Sequence, residues 1–361
     1  MVIKIITEES QLLAIQNEWE KLSVNSECTY YDSFEYFYTW WISYKTNQDQ
    51  LFVICAYENK QLIALAPFIK RKRKSWKTCF QTIQYIEFIE RGDFHDILVH
   101  SAADRQYKIL KKIFDTALSS EYNILKLLRI NPQHWMGYYI LSDKQLSAHF
   151  TQAYMCPYIK ISDYKDFNSY LMNFNQPQTV KQCSKKLASD TQYYMDTLNA
   201  GEDLYKLIST LHKEEQAYLR DKKGIKKRLS PFENQDNIFL SKLQKKSPYV
   251  KCFVLMSSQG EIICYNSCYI FNNCIHSWNI AYNPKFASYS PGKILYYSIL
   301  QHLFSIPEFK DYTFDFGSGS YPWKHYFTRT TVINYNIHMN NPNNKGFIKQ
   351  LCNIKTLLNK I

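Results

Sequence analysis

No stretch of this 361-residue chain approaches the eighteen or so uninterrupted apolar residues of a membrane-spanning helix. The first residues have no apolar core either, since Ile5 and Ile6 run straight into Glu8 and Glu9, which argues against a signal peptide. The Gly-x-x-x-x-Gly-Lys loop and the glycine-spaced dinucleotide fingerprint are both missing. Cys264, Cys268, Cys274 and His276 do not make the paired Cys-x-x-Cys knuckles of a structural zinc site, and their spacing equally suits buried core thiols on strands. No metal is therefore expected. Acidic residues are in deficit, 32 Asp+Glu against 44 Lys+Arg, for a formal charge of +12. These features predict a cytoplasmic protein with reduced thiols and no stable membrane insertion. Peripheral contact with the inner face of a membrane stays open. The charge favours an anionic partner: a phosphorylated cofactor, tRNA, a lipid head group or an acidic polymer.

Aromatic residues are abundant, with 30 Tyr, 22 Phe and 7 Trp. They argue for packed sheet and against disorder. At this length two domains are expected. Helical periodicity over 8–24 and around Phe34 to Trp41 precedes a hairpin, Leu51 to Tyr57 with Gln61 to Ile69. The basic run Lys70 to Lys74 reads as a solvated hairpin end, with an anion patch as the alternative. Strands at 82–89 and 96–99, a helix at 103–119 and a strand at 124–130 follow, and the first domain closes near 158. A helix at 204–220 then leads to a basic loop at 221–237, with Lys222, Lys223, Lys226, Lys227 and Arg228. After it the order helix, hairpin, strand, helix, strand recurs, which suggests a structural duplication. The boundaries are 1–158 and 159–361.

Residues 289–327 look built for chemistry. The turn Ser290-Pro291-Gly292 enters an apolar helix pattern of Ile294, Leu295, Ile299 and Leu303. Freed N–H groups at such a start, together with the helix dipole, favour a phosphate. A short aromatic strand ends at Asp315 and a Gly-Ser-Gly turn, and Lys324 follows. A strand-end carboxylate, a turn and a lysine suit a loop that meets a charged ligand. A plainer reading makes them a turn, a cap and a surface lysine. Asp93, His95 and Asp96 form a second polar group that suits a base, a metal or a solvated loop.

The C-terminal half resembles the GNAT-fold acetyltransferase family known as BioF2-like or cellulose-biosynthesis CelD-like, and distantly the Fem-type aminoacyltransferases. The residues are Ala281-Tyr282-Asn283-Pro284, Tyr289-Ser290-Pro291-Gly292, Phe314-Asp315-Phe316-Gly317-Ser318-Gly319 and Pro322-Trp323-Lys324, where the family has Tyr-Lys at the last point. His212 with Lys223-Gly224, and Trp19, Phe34 to Trp41 and Leu65-Ala66-Pro67 in the first half, extend the match over most of the chain. The resemblance implies an α/β (α+β) fold of tandem GNAT-like domains, each a mixed sheet flanked by helices. It implies transfer of an acyl group from acyl-CoA (acetyl-CoA) as co-substrate, or from aminoacyl-tRNA in the Fem branch, to an amine or hydroxyl. The acceptor would be a small molecule or a cell-envelope precursor. Ser290, Gly292, Lys293 and Lys324 would hold the donor's phosphates. Asp315, Lys324 and Tyr289 would serve catalysis, with an amide near Asn279 to Ala281 facing the oxyanion. Trp323, Trp278, Asp93 and His95 would meet the acceptor, and Trp40 and Trp41 are further candidates for its wall. A non-catalytic assembly protein on the same scaffold and a nucleic-acid binder are the readings from other classes.

Overall fold

The structure, a computed structural model, describes residues 1–74, 81–103, 105–172, 177–224, 230–233, 236–346 and 348–350. The chain divides into two compact units. One holds Met1–Met155 with Val332–Ile361, the other Cys156–Thr331.

The first unit runs β1 (Val2–Ile6), α1 (Glu9–Ala14), α2 (Gln16–Ser23), α3 (Phe34–Tyr44), β2 (Asp49–Glu58), β3 (Gln61–Arg73), β4 (Ile83–Glu87), β5 (Leu98–Val99), α4 (Gln106–Ser119), β6 (Ile124–Ile130), α5 (Trp135–Ser142) and α6 (Lys144–Ser147). Strand β7 (Phe150–Lys160) follows, its first six residues in this unit and its last five in the other. The β2–β3 hairpin turns through Asn59 and Lys60, both at positive φ. Antiparallel pairing links β1 to β2, β2 to β3 and β3 to β4, whereas β4 and β6 run parallel across the α4 crossover. The core under this sheet includes Phe68, Ile86, Leu110, Phe114 and Leu127.

Arg71 and Arg73 correct the expectation of a solvated hairpin end, because β3 continues through them, while Lys72 is exposed as expected. The cause is a row of carboxylates across the strands. Arg71 pairs with Asp49, Glu87 and Glu90, and Arg73 pairs with Glu87 and Glu90. The carboxyl-terminal stretch is a second correction. It was assigned to the second half, yet β13 (Thr331–Asn340) pairs antiparallel with β6, so its hydrogen bonds lie in the first unit.

The second unit runs α7 (Phe167–Leu171), α8 (Pro177–Asp190), β8 (Tyr193–Asn199), α9 (Glu202–Lys223), α10 (Asp236–Lys246), β9 (Val250–Ser257), β10 (Ile262–Phe271), β11 (Cys274–Tyr282), α11 (Pro291–Ser305) and β12 (Thr313–Asp315). Its strands lie in the order β7, β12, β11, β10, β9, β8. β8, β9, β10 and β11 are antiparallel, and β11 and β12 run parallel across the α11 crossover. Each unit thus repeats strand, helices, three-strand meander, helix and parallel strand within a mixed sheet flanked by helices. α11 presents Ile294, Leu295, Ile299, Leu300 and Leu303 to the core, an i, i+1, i+5, i+6, i+9 face against β9 and β10. Among the described residues no helix is long and apolar enough to cross a membrane, and no group of His, Cys, Asp and Glu is arranged to hold a metal ion.

Candidate active site

The feature that opens the second unit is a failure of pairing. β11 and β12 are bonded only from Cys274 and Thr313 to His276 and Asp315. Beyond that point β12 ends, while β11 continues to Tyr282. On its other edge β11 stays paired with β10, but the register slips between Ser267 and Cys268. Ser267 faces Asn279 and Cys268 faces Ser277, so Trp278 is the extra residue of a bulge. The bulge resets which amides face which way. Asn283 N–H donates to Ile263 O across the ladder. By the two-residue alternation the amides of Ile280 and Tyr282 then turn toward the edge that β12 has left.

The bulge is pinned by side chains. Asn266, fully buried, donates through Nδ2 to Ser277 Oγ at 2.9 Å and to the Asn279 carbonyl at 3.3 Å. Tyr265 Oη contacts Asn279 Oδ1 and lies 3.2 Å from the Ile208 carbonyl on α9. Ser277 Oγ is 2.8 Å from Tyr296 Oη of α11.

At the end of β11 a short turn, Pro284–Tyr289, delivers the chain to α11. Ser290 sits in the left-handed region at φ 54°, and Pro291 occupies the first helical turn, where its missing N–H costs nothing. A Cβ on Gly292 would lie 3.4 Å from Ile280 Cδ1, so the helix start rests against the edge strand. Lys293 Nζ is 4.1 Å from the centre of the Tyr326 ring. Tyr289 donates to Asp190 and lies beneath Lys186. The hydrogen bond to Asp190 holds its phenol above the usual range.

Asp315 and Lys324 both meet the Gly317–Gly319 turn, Asp315 in the capping role of the plainer sequence reading. Both are buried, 5% and 4% exposed. Asp315 Oδ2 is 3.0 Å from His276 Nδ1, and Oδ1 accepts the Gly317 N–H at 2.8 Å. Burial works against the His276 imidazolium, but the neighbouring Cys274 sulfur and the Asp315 carboxylate prevail and hold its pKa well above the usual value. Lys324 Nζ donates to the carbonyls of Gly317 at 2.7 Å and Ser318 at 2.9 Å. The pair grips the Gly317–Gly319 turn, and Lys324 is buried where the plainer reading has a surface lysine. The sequence missed His276 as a partner because its strand gave only a metal reading. A buried histidine at the last paired position before the strands part was the signal.

Trp323 stacks on Tyr296 with centroids 5.1 Å apart. Trp278 packs near Phe232 and Tyr269, at 6.0 and 5.9 Å. Both are half-buried. In the first unit Trp40 and Trp41 are only 2% and 6% exposed, so they are core and not an open wall. His95 is likewise buried, 2% exposed, with Nδ1 3.5 Å from Asp32. Asp96 beside it bonds His134 at 2.8 Å, and burial pushes its carboxyl up to about 6. Asp93 is half-buried and within 3.5 Å of Tyr31 Oη. Lys226, Lys227 and Arg228 of the basic loop lie outside the described residues.

Residues 175–325, which contain the bulge, the parted strands and the α11 start, match the family described as acetyltransferase (GNAT) domain. The fold is that of the GNAT superfamily. Solved structures agree over nearly the whole chain. FemX aligns with a TM-score of 0.62 at 11% identity, covering 95% of this chain and 98% of its own. A conserved protein from Bacteroides thetaiotaomicron gives 0.55 at 12%, covering 94% and 100%. L-PGS from Bacillus licheniformis gives 0.50 at 12%, covering 97% of each. Identities this low speak for the GNAT-type fold alone. No curated protein matches the sequence.

Proposed function

We propose that the chain is an acyltransferase that moves an acyl group from acyl-CoA, acetyl-CoA first among donors, to an amine or hydroxyl. The observation that carries this reading is the parting of β11 from β12 after His276 and Asp315, beside the N-terminus of α11. A thioester lying along the vacated edge would meet the Ile280 amide, a donor for the negative charge that develops on the carbonyl oxygen. The donor's phosphates would rest at the α11 start formed by Ser290, Gly292 and Lys293, where the Gly292 N–H and the helix dipole favour an anion, while the Ser290 and Lys293 N–H groups already donate to the Ala287 and Ser290 carbonyls. Holding thioester and acceptor together supplies much of the rate, so no side-chain nucleophile is required. In this scheme Asp315 and Lys324 are positioning residues that fix the Gly317–Gly319 turn after β12, and Trp323 and Trp278 would meet the acceptor. We read the common element order of the two units as a tandem GNAT-like duplication.

A second donor is favoured by one feature. Lys181, Lys185 and Lys186 are exposed on α8, which packs on α11 and on the 284–289 turn, and so present a basic face beside the proposed donor loop. Such a face suits a longer polyanion such as aminoacyl-tRNA. Calorimetric titration with acetyl-CoA, longer acyl-CoAs and aminoacyl-tRNA decides between them. Binding of an acyl-CoA with release of free thiol supports the first reading. Binding of aminoacyl-tRNA alone, retained against unrelated duplex at raised salt, transfers the protein to the second. Silence from all of them would sink both.

A further inference from the structure

A short surface helix should be apolar on one side only, and α5 is apolar on both. Its eight residues, Trp135–Ser142, include no charged side chain. Met136, Tyr139 and Ile140 belong to the first unit's core, and the Tyr139 ring stacks on Phe114 of α4 at 5.4 Å. The other face carries Trp135, Tyr138 and Leu141 at i, i+3, i+6. Trp135 is half-buried, while Tyr138 and Leu141 are 47% and 54% exposed. The helix is seated too tightly to roll and hide them. A Cβ on Gly137 would come within 2.4 Å of the Asn131 carbonyl oxygen and 2.5 Å of Pro132 Cα. Helix α4 extends the same surface through Tyr107, 43% exposed. Tyr107 meets Trp135 edge to face with ring centres 6.2 Å apart, and Trp135 meets Tyr138 in the same way at 6.4 Å.

The charges around this patch are mostly of one sign. Across α4, α5 and α6 the charged residues are Lys108, Lys111, Lys112, Lys144 and Asp115, and Arg105 stands directly before α4. All of these are exposed. Asp115 is taken up by Lys111, whose Nζ lies 2.9 and 2.7 Å from its two oxygens. Asp143, between α5 and α6, accepts the Gln145 and Leu146 N–H groups at 2.9 Å as the α6 cap. Five cations therefore surround the aromatic patch, and both nearby carboxylates are engaged. A second copy of the chain is a poor match, because a two-fold contact would set this basic rim against itself, and lysine is depleted at protein interfaces. An anionic bilayer is a good one. Trp and Tyr rings, apolar bodies with a polar tip, sit at head-group level, and lysines there meet lipid phosphates.

We propose that the α4–α5 face is a peripheral docking surface for a bilayer of anionic phospholipids. Trp135, Tyr138 and Leu141 enter the head-group boundary, and Tyr107 lies beside them. Lys108 and Lys112 lay their stems along the surface and carry their ammonium groups to the phosphates. Because α5 is already folded and seated on Asn131 and Pro132, docking orders little new chain. Neither set of residues is enough alone. A single weak apolar anchor gives marginal binding, and firm attachment takes a second signal such as a basic patch. The inference concerns the first unit only. It stands whether or not the second unit transfers an acyl group.

Co-sedimentation with unilamellar vesicles tests this. Wild type should bind vesicles of mixed phosphatidylglycerol and phosphatidylcholine about tenfold or more tighter than vesicles of phosphatidylcholine alone, and raised salt should narrow the gap. Tyr138→Ser with Leu141→Ser should weaken binding to the anionic vesicles about tenfold. Lys108→Ala with Lys112→Ala should weaken it about thirtyfold, the scale of two charges at an anionic surface. Lys4→Ala with Lys310→Ala removes the same charge from exposed positions elsewhere and should bind as wild type. The replaced side chains face solvent, so melting curves should match wild type. If the serine pair melts early, the lysine pair against its control still decides. The proposal is overturned if wild type ignores anionic vesicles, or if the serine pair folds and binds them as wild type does. It is overturned equally if the Lys4 and Lys310 control loses as much as the patch lysines, since the overall charge of +12 would then account for the binding. A wild-type dimer in the absence of lipid that the serine pair converts to monomer would also overturn it, and would assign the face to a second copy.

Discussion

Lys324 holds Gly317 by its carbonyl while Asp315 holds the same glycine by its amide. The two bonds, 2.7 and 2.8 Å, close on one residue from opposite sides. Gly317 sits at φ 75°, a conformation side chains avoid, so the turn needs both glycine and the clamp. Charged donors to buried carbonyls are worth about 1.5–3 kcal/mol. Lys324→Met should therefore lower the second unit's stability by about 3 kcal/mol, with a loss nearly equal at low and high salt. A donor affinity that falls in the mutant only at low salt would instead make Lys324 a phosphate counter-charge.

Much of the second unit was readable because its signals are local. Pro291 after Ser290 marks a helix start, Gly317 and Gly319 mark a turn, and the apolar spacing of α11 marks its buried face. The site's inner geometry was not readable, because it depends on pairs far apart in sequence. His276 and Asp315 are 39 residues apart, and the slip that makes Trp278 a bulge exists only against Ser267 and Cys268. The basic run at 70–74 misled for the same reason. Its carboxylate partners Asp49, Glu87 and Glu90 lie on other strands or beyond their ends, so charge density alone read as solvation. The stretch Thr331–Asn340 likewise shows a strand period but not which sheet it joins.

Gly292 separates a steric from a conformational requirement. Its backbone is helical, and an added Cβ would meet Ile280 Cδ1 at ordinary contact distance. Gly292→Ala should fold and bind donor nearly as wild type. Gly292→Val adds two methyls toward the edge strand and should lose donor affinity or stability by about 1–3 kcal/mol. Acetyl-CoA titration alongside melting curves measures both, and equal behaviour of the two variants would remove the close approach from the donor site.

The buried His276 gives a pH dependence of definite sign. Its folded pKa is raised well above the unfolded value. The stabilisation is therefore fully present below about pH 6.5, where the unfolded histidine is also charged, and is lost as pH rises through the folded pKa. Melting temperatures of wild type should fall with pH above that point from this contribution. His276→Gln should lie lower at acid pH and lack this part of the slope. Parallel curves for the two proteins would mean that the imidazole is neutral in the fold.

Asn266 tests whether the bulge is there to aim an amide. Its side chain donates to the Asn279 carbonyl and to Ser277 Oγ, one on each side of Trp278. Asn266→Ala removes the side-chain donor to the Asn279 carbonyl, while Ser277 Oγ keeps Tyr296 Oη at 2.8 Å, and should cost about 1–3 kcal/mol of stability. Asn266 lies on β10, outside the α11 start proposed to hold the phosphates, so affinity for CoA itself should stay near wild type. Acyl transfer is different, because the Ile280 amide two residues beyond Trp278 acts only if the bulge holds its direction. Loss of one aligned donor to a developing oxyanion lowers the rate by about a hundredfold. Transfer or hydrolysis of acetyl-CoA in the variant should therefore drop by that order while CoA titrates normally. A variant that binds CoA and turns over at the wild-type rate would show that the bulge is only a packing device, and that the oxyanion is met elsewhere.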